Sequence, residues 1–402
     1  MRRNVVLWHK VETEPGQCQW DKLTSLDAEL KLAYENGLTP IVLVRGTPEW
    51  AQKVQGSFCG PIAEHAFDDF ADFMVALVNR YKDAPYHVKY WELGNEPDAG
   101  IHEGDRAYGC WGDETAPYYG GGHYGEMLEV VYPAIKNADP EAQVLIGGLL
   151  LDKHPNHPGA GQNPPARFLT GILVAGAGDC FDIVSFHGYP HYTGQLEDWE
   201  ITSLDNWRAW GGIVAGKAAY LRQVLAAHGY EKPLMLTEGG LICHPKVCSP
   251  EPTEQFWHDQ ADYLPRLYTR NIALGIKATF WYPLEGPGWR WGCLLRRDLS
   301  PKPVYIAYQT LTSELDGTTY VREITEADYG PAIQGYVFAQ ADRLVHVIWG
   351  VDAEIRQLPV DAGRVLRVMN KYGEPVALTS KEDQTLLSVG FSPLYVELLP
   401  VP

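Results

Sequence analysis

The amino-acid sequence predicts an α/β protein: a (β/α)8 TIM-type barrel, one β/α unit short at its N-terminus, followed by a small all-β sandwich. Three observations predict it. Short apolar runs alternate with longer amphipathic runs from residue 3 to about residue 315. Beyond about residue 317 only short β runs separated by turn residues remain. Two glutamates, Glu96 and Glu238, close apolar runs at the point where a parallel barrel opens to ligand. The expected organisation is a catalytic barrel over 1–316 and a β-sandwich over 317–402.

The first strand is "NVVLWHK". In the segment that follows, Leu23, Leu26, Leu30 and Ala33 recur at helical spacing and Gly37 supplies the stop. Strand "TPIVLVRG" precedes a helix with Phe67, Phe70, Met74, Leu77 and Tyr81 on one face, and strand "YHVKYWELGN" precedes one marked by Tyr124, Leu128, Val131 and Ile135. "AQVLIGGLL", "FDIVSFHGY", "PLMLTEGG" and "IKATFWYP" complete the strands, with helices near 165–176, 206–229, 254–274 and from about 303. Strands this apolar, each followed by a helix, belong to a parallel sheet covered on its faces. Seven are visible where a closed barrel wants eight. A doubly wound sheet would carry a GxGxxG turn after a strand, and none does. After residue 317, "GYVFAQADRLVHVIWG", "RVLRVMNKYG" and "PLYVELLPV" are the β runs of the second domain.

Composition narrows the partners. With 51 acidic and 33 basic residues the net charge is −18, which repels phosphate backbones and anionic membranes, so neither nucleic acid nor membrane is an expected partner. The 13 Trp and 23 Tyr exceed the needs of a core, and several lie in Gly-rich loops, where rings suit the apolar faces of pyranoses. Seven cysteines are scattered without zinc spacing, and no metal or organic cofactor is expected. Cys243 and Cys248 are close enough to clip a loop but are expected as free thiols in a reducing compartment. The basic start precedes an apolar run too short for a secretory leader, so a cytoplasmic location is the default expectation; secretion stays open if the front of the barrel is cut. Oligomeric state is left open.

Hydrolysing an acetal takes one carboxylic acid to protonate the leaving oxygen and a second carboxylate across the sugar ring. Glu96 in "GNEP" and Glu238 in "TEGG" are the strand-end acids that qualify. Strand alternation also turns Glu92 inward, where it needs a cation such as Arg45, His9 or Lys10.

"NEP" closing one strand, "TEGG" closing a strand three later, "SFHGYPHY" between them and Trp281 on the last strand resemble a clan A glycoside hydrolase, family 39 and its neighbours above all. "RGTPEW", "YPAIKNADPEAQVLIGG" and "LLRRDLSPKPVYIAYQTL" are similar too, so the likeness runs from about residue 3 to about residue 315. It implies Glu96 as general acid/base and Glu238 as nucleophile. It implies that Asn95 hydrogen-bonds the sugar 2-hydroxyl, that His187 and Tyr189 face the site, and that Trp281 is the stacking platform. In such enzymes the acid/base ends strand four, whereas "NEP" ends the third strand visible here; hence the expected missing first unit. Gly94 departs from family 39, where a bulky aromatic is usual.

The Gly-rich insert 100–124 is expected to wall the site, with Trp289 and Trp291 opposite, which favours a pocket for chain ends. The expected function is a retaining, exo-acting β-type glycosidase working by double displacement on an oligosaccharide, polysaccharide or glycoside. The competing readings are a carbohydrate-binding protein without turnover and a transglycosidase.

Overall fold

The computed structural model describes residues 1–101, 109–157, 159–202, 207–286, 288–381 and 384–400. Two compact units make up the chain, 1–188 with 216–238, and 189–215 with 239–402. Among the described residues no helix is long and apolar enough to cross a membrane.

The first unit carries β1 (Arg2–Leu7), α1 (Trp8–Val11), α2 (Thr24–Glu35), β2 (Ile41–Arg45), α3 (Phe67–Tyr81), β3 (Tyr90–Asn95), α4 (Gly121–Ala138), β4 (Gln143–Leu149), α5 (Phe168–Val174) and β5 (Ile183–Gly188). The chain continues through β6 (His191–Tyr192), α6 (Trp199–Thr202), α7 (Ile213–Ala227) and β7 (Leu234–Gly239). Parallel strands follow the order β1-β2-β3-β4-β5-β7, then β9 (Ala278–Trp281), after β8 (Ile242–Cys243) and α8 (Glu254–Ala273). This is the (β/α) barrel pattern. Val42, Val44, Trp91, Leu93, Val144, Ile146, Ile183 and Val184 are buried, because a parallel sheet covered by helices leaves neither face to water. Leu23, Leu26, Leu30 and Ala33 are buried as their spacing requires, and so are the five apolar residues named on α3.

Two expectations are corrected. The first strand stops at Leu7, and Trp8–Val11 forms a helical turn. The indole of Trp8 donates to the carboxylate of Glu12 at 2.7 Å, one turn ahead, and this buried bond favours helix over strand. Cys243 and Cys248 are joined in a disulfide rather than free. The amides of Val247 and Cys248 both donate to the carbonyl of His244, and the turn they close brings the two Cα atoms to 6.0 Å. Cys59 and Cys110, 51 residues apart, form a second pair that no local spacing announced.

The second unit continues through α9 (Pro303–Leu315), β10 (Thr319–Glu323), α10 (Glu326–Tyr329), β11 (Ile333–Gln340), β12 (Arg343–Gly350), β13 (Arg356–Asp361), β14 (Val365–Asn370), β15 (Thr379–Lys381), β16 (Gln384–Val389) and β17 (Leu394–Leu398). A five-stranded sheet, β10-β11-β12-β17-β14, and a three-stranded sheet, β13-β16-β15, are both antiparallel. Ile333, Ile348, Val368, Val396 and Leu398 of one join Leu387 and Val389 of the other in one core, which makes the pair a β-sandwich. Helix α8 is fastened to it by polar contacts. Arg266 donates to the carbonyl of Phe391 and lies 3.7 Å from the centre of its ring, and Lys371 pairs with buried Asp262.

Candidate active site

The C-terminal ends of β3, β5 and β7 meet in the first unit. At the end of β3 the backbone turns through left-handed conformations at Gly94 (φ 89°) and Glu96 (φ 50°). Glycine adopts such angles freely, whereas for Glu96 the cost is about 1–2 kcal/mol. The amide of Glu96 donates to Gly148 O at 3.0 Å and its carbonyl accepts from Ala99 at 2.9 Å, so the conformation is held from both sides. The result is a carboxylate aimed inward yet 95 % buried, at a relative exposure of 5 %.

His187 near the end of β5 has its Nδ1 2.8 Å from Glu96 Oε1 and 3.7 Å from Glu238 Oε2. Its ring lies flat against β4 because residue 148 is glycine: a Cβ there would come within 2.1 Å of Nε2. Burial alone would lower the imidazole pKa, but the charge of Glu238 and the hydrogen bond and charge of Glu96 outweigh it, so His187 titrates above its ordinary value. One ligating atom from each of Glu96, His187 and Glu238 lies within 4.8 Å of the others. The two strand-end acids singled out by the sequence therefore flank one small space.

Arg2, at the start of β1, was not foreseen. Its guanidinium donates through Nε to Glu92, through Nη1 to Glu238 Oε1 and through Nη2 to Asn95 Oδ1, the last at 2.7 Å. Glu92, fully buried, also accepts from the hydroxyls of Ser185 and Thr237, each at 2.9 Å. Its cation is thus Arg2, not Arg45, His9 or Lys10, because a long side chain entering from the far end of the neighbouring strands reaches between β3 and β7. The flanking carboxylates keep the guanidinium charged despite its burial.

Two further residues brace the strand ends. Asp98 accepts from the amides of Leu150 and Leu151, each at 2.8 Å, and burial pushes its carboxyl up to about 6 against those bonds. Lys217, buried on α7, donates to the carbonyls of Leu150 and His187 at 2.7 and 3.0 Å. Asp98 stands two residues beyond Glu96, and neither it nor Lys217 was singled out by the sequence.

Tyr189 and Trp281 belong to the second unit. Tyr189 is half-buried. Trp281 closes β9 with its ring 8 % exposed; its Nε1 donates to Gly292 O at 2.7 Å, and Gly240 leaves the space beside its ring. Of the insert 100–124, residues 102–108 lie outside the described residues. The remainder is folded, with Cys110 tied to Cys59, Trp111 N donating to Pro97 O at 3.0 Å, and Ile101 N donating to Gly112 O at 2.6 Å.

Glu96, His187 and Glu238 have the composition of a cation site, as do Glu64, His123 and Glu126 at the surface. In the first group Nδ1 already bonds Glu96, and the Arg2 guanidinium on Glu238 would repel a second cation. In the second, Lys53 donates to His123 Nδ1 at 3.1 Å and takes the place of an ion.

No family model matches the chain, and no curated protein matches it in sequence. Solved structures do. A family 39 glycoside hydrolase from Bacteroides cellulosilyticus WH2 superposes with a TM-score of 0.71 at 19% identity, covering 99% of this chain and 75% of its own. The catalytic domain of a family 30 xylanase C from Talaromyces cellulolyticus gives 0.63 at 10% identity, with 100% and 87% covered. A family 51 α-L-arabinofuranosidase from Bifidobacterium longum gives 0.59 at 13%, with 93% and 79% covered. At these identities the likeness is one of fold, and the fold is that of clan A glycoside hydrolases.

Proposed function

We propose that this protein is a retaining glycoside hydrolase that cleaves a β-type glycosidic bond through a covalent glycosyl-enzyme. The observation that carries the reading is the approach of Glu96 and Glu238, with carboxylate oxygens within 4.8 Å of one another at the ends of β3 and β7. Retaining enzymes hold their two carboxyl groups about 5–5.5 Å apart, whereas inverting ones leave about 6.5–9.5 Å for a water.

In this reading Glu96 gives a proton to the leaving oxygen while Glu238 attacks the anomeric carbon. Arg2 orients Glu238 through Oε1. Once the glycosyl-enzyme forms, Glu96 is a carboxylate and takes a proton from the incoming water, which releases the sugar and restores both acids. His187 orients Glu96 through Nδ1. Asn95, with Oδ1 accepting from Arg2, presents an amide to the sugar 2-hydroxyl. Exo-action is part of the proposal, with the loop after β3 as the element that would close one end of the site.

Aryl glycosides test it. Glu238→Ala is expected to lower kcat on the order of 10⁴-fold, and a 2-deoxy-2-fluoro glycoside should add one fluoro-sugar mass to a peptide containing Glu238. Glu96→Ala should lose most activity on poor leaving groups and regain turnover with azide. Chelators should leave the rate unchanged. Near-native turnover in Glu238→Ala refutes the assignment; tight sugar binding without hydrolysis by the native chain favours a binding protein instead.

A further inference from the structure

The motif "GPGWRWG" supplies a charged corner that the catalytic reading does not use. Within the second unit, Gly288, Arg290 and Trp291 take left-handed backbone conformations, with φ of 60°, 44° and 68°. Two of these are not glycine, so the turn persists because its surroundings hold it. Trp281 Nε1 bonds Gly292 O at 2.7 Å, Leu294 N bonds Pro283 O at 3.1 Å and Leu295 N bonds Leu284 O at 2.8 Å. That geometry lays the Arg290 guanidinium 4.7 Å from the centre of the Trp289 ring, which remains 45% exposed.

Arg290 Nη1 meets His191 Nε2 at 2.5 Å. His191 is fixed by the pairing of β6 with β8 and stands 5.8 Å, ring to ring, from His244. Burial, with the charges of Arg290 and His244, lowers the His191 pKa to about 4, so at neutral pH it accepts from Arg290 without cancelling its charge. Among the described residues no carboxylate pairs with Arg290, and its Nε and Nη2 make no hydrogen bond. In a chain of net charge −18 this is a guanidinium with its forked edge unspent. In the chain, β6, β8 and this turn come directly after β5, β7 and β9, the positions of βα loops in a parallel barrel.

We propose that Arg290, held by His191 and laid over Trp289, binds the anionic group of an acidic sugar, a carboxylate or a sulfate ester, with Trp289 against the ring. A guanidinium fork matches two oxygens of either anion, and a neutral sugar offers it no such partner. The inference rests on the carbohydrate reading above and names the substrate class.

Calorimetric titration of the full chain with glucuronate, galacturonate, glucose 6-sulfate and glucose tests it without requiring turnover. At least one anionic sugar should bind ten-fold or more tighter than glucose in low salt, with the advantage shrinking as salt rises; uronate against sulfate identifies the anion. Arg290→Gln should erase the preference and Arg290→Lys keep part of it, while Trp289→Ala weakens charged and neutral sugars alike. Equal affinity for all four sugars, or none, overturns the proposal, as does an undiminished preference in Arg290→Gln. If the fluoro-sugar trap succeeds and the anion preference is absent, only this inference falls; the converse result removes only the catalytic one.

Discussion

Arg2 touches three side chains at once, and its removal separates stability from catalysis. Glu92 has no exposed surface, and breaking a buried ion pair by removing one partner costs about 3–5 kcal/mol. Arg2→Met is therefore expected to lower the urea midpoint sharply, and Arg2→Met with Glu92→Gln to recover much of the loss while leaving Glu238 without its cation and the enzyme slow. Recovery of rate along with stability would show that Arg2 serves only Glu92. Gly148→Ala probes the other side: its Cβ would stand 2.1 Å from His187 Nε2, so the ring must turn away from Glu96. A fall in kcat of roughly 100-fold, at the low end of a general-acid or general-base contribution, with an unchanged circular dichroism spectrum is the expected result. His187 came only with the likeness to family 39; Glu96 and Glu238 were legible in the sequence because each closes an apolar run, and strand ends in a parallel barrel share one rim. Arg2 was not, since it starts its strand and arrives by the length of its side chain.

Glu200 shows how an element can carry its own pH response. Its Oε1 accepts from the amides of Val214 and Ala215 at the start of α7, and its Oε2 from the hydroxyl of Tyr263 at 3.1 Å. Burial pushes its carboxyl up to about 7 against those bonds. An acid whose pKa is higher folded than unfolded contributes stability that is complete below the unfolded value and lost as pH rises through the folded one. A displacement from 4.5 to about 7 corresponds to about 3 kcal/mol. Glu200→Gln can accept from both amides through its carbonyl and donate its NH2 to the Tyr263 oxygen, without the charge, so it should match the native protein near pH 4 and exceed it in unfolding free energy at pH 8. A variant equally destabilised at both pH values would show that burial of Glu200 adds no pH dependence to stability. Helices were the most legible elements, as the buried stripes of α2 and α3 illustrate, because their period is local. "NVVLWHK" misled at Trp8, where an apolar run continues but a side-chain bond to Glu12 turns the backbone into helix.

At the scale of the whole chain, what the sequence left unreadable is what joins distant segments. Cys59 follows β2 and Cys110 follows β3; their bond closes a loop of 51 residues, and no spacing rule selects one pair among seven scattered cysteines. The Cys243–Cys248 loop spans only 5. Cross-linking stabilises chiefly by limiting the unfolded chain, and the limit grows with the logarithm of loop length. The long loop is accordingly worth about 4 kcal/mol and the short one about 2 kcal/mol. Replacing Cys59 and Cys110 by serine should therefore lower the denaturant midpoint roughly twice as far as replacing Cys243 and Cys248. The reductant-treated native chain should fall by the sum of the two, since the bridges lie in different compact units and mutations at separate sites add. Equal losses from the two pairs would mean that local folded-state contacts, not chain entropy, set their contribution, and an unchanged midpoint after reduction would show that neither bridge restrains the unfolded state.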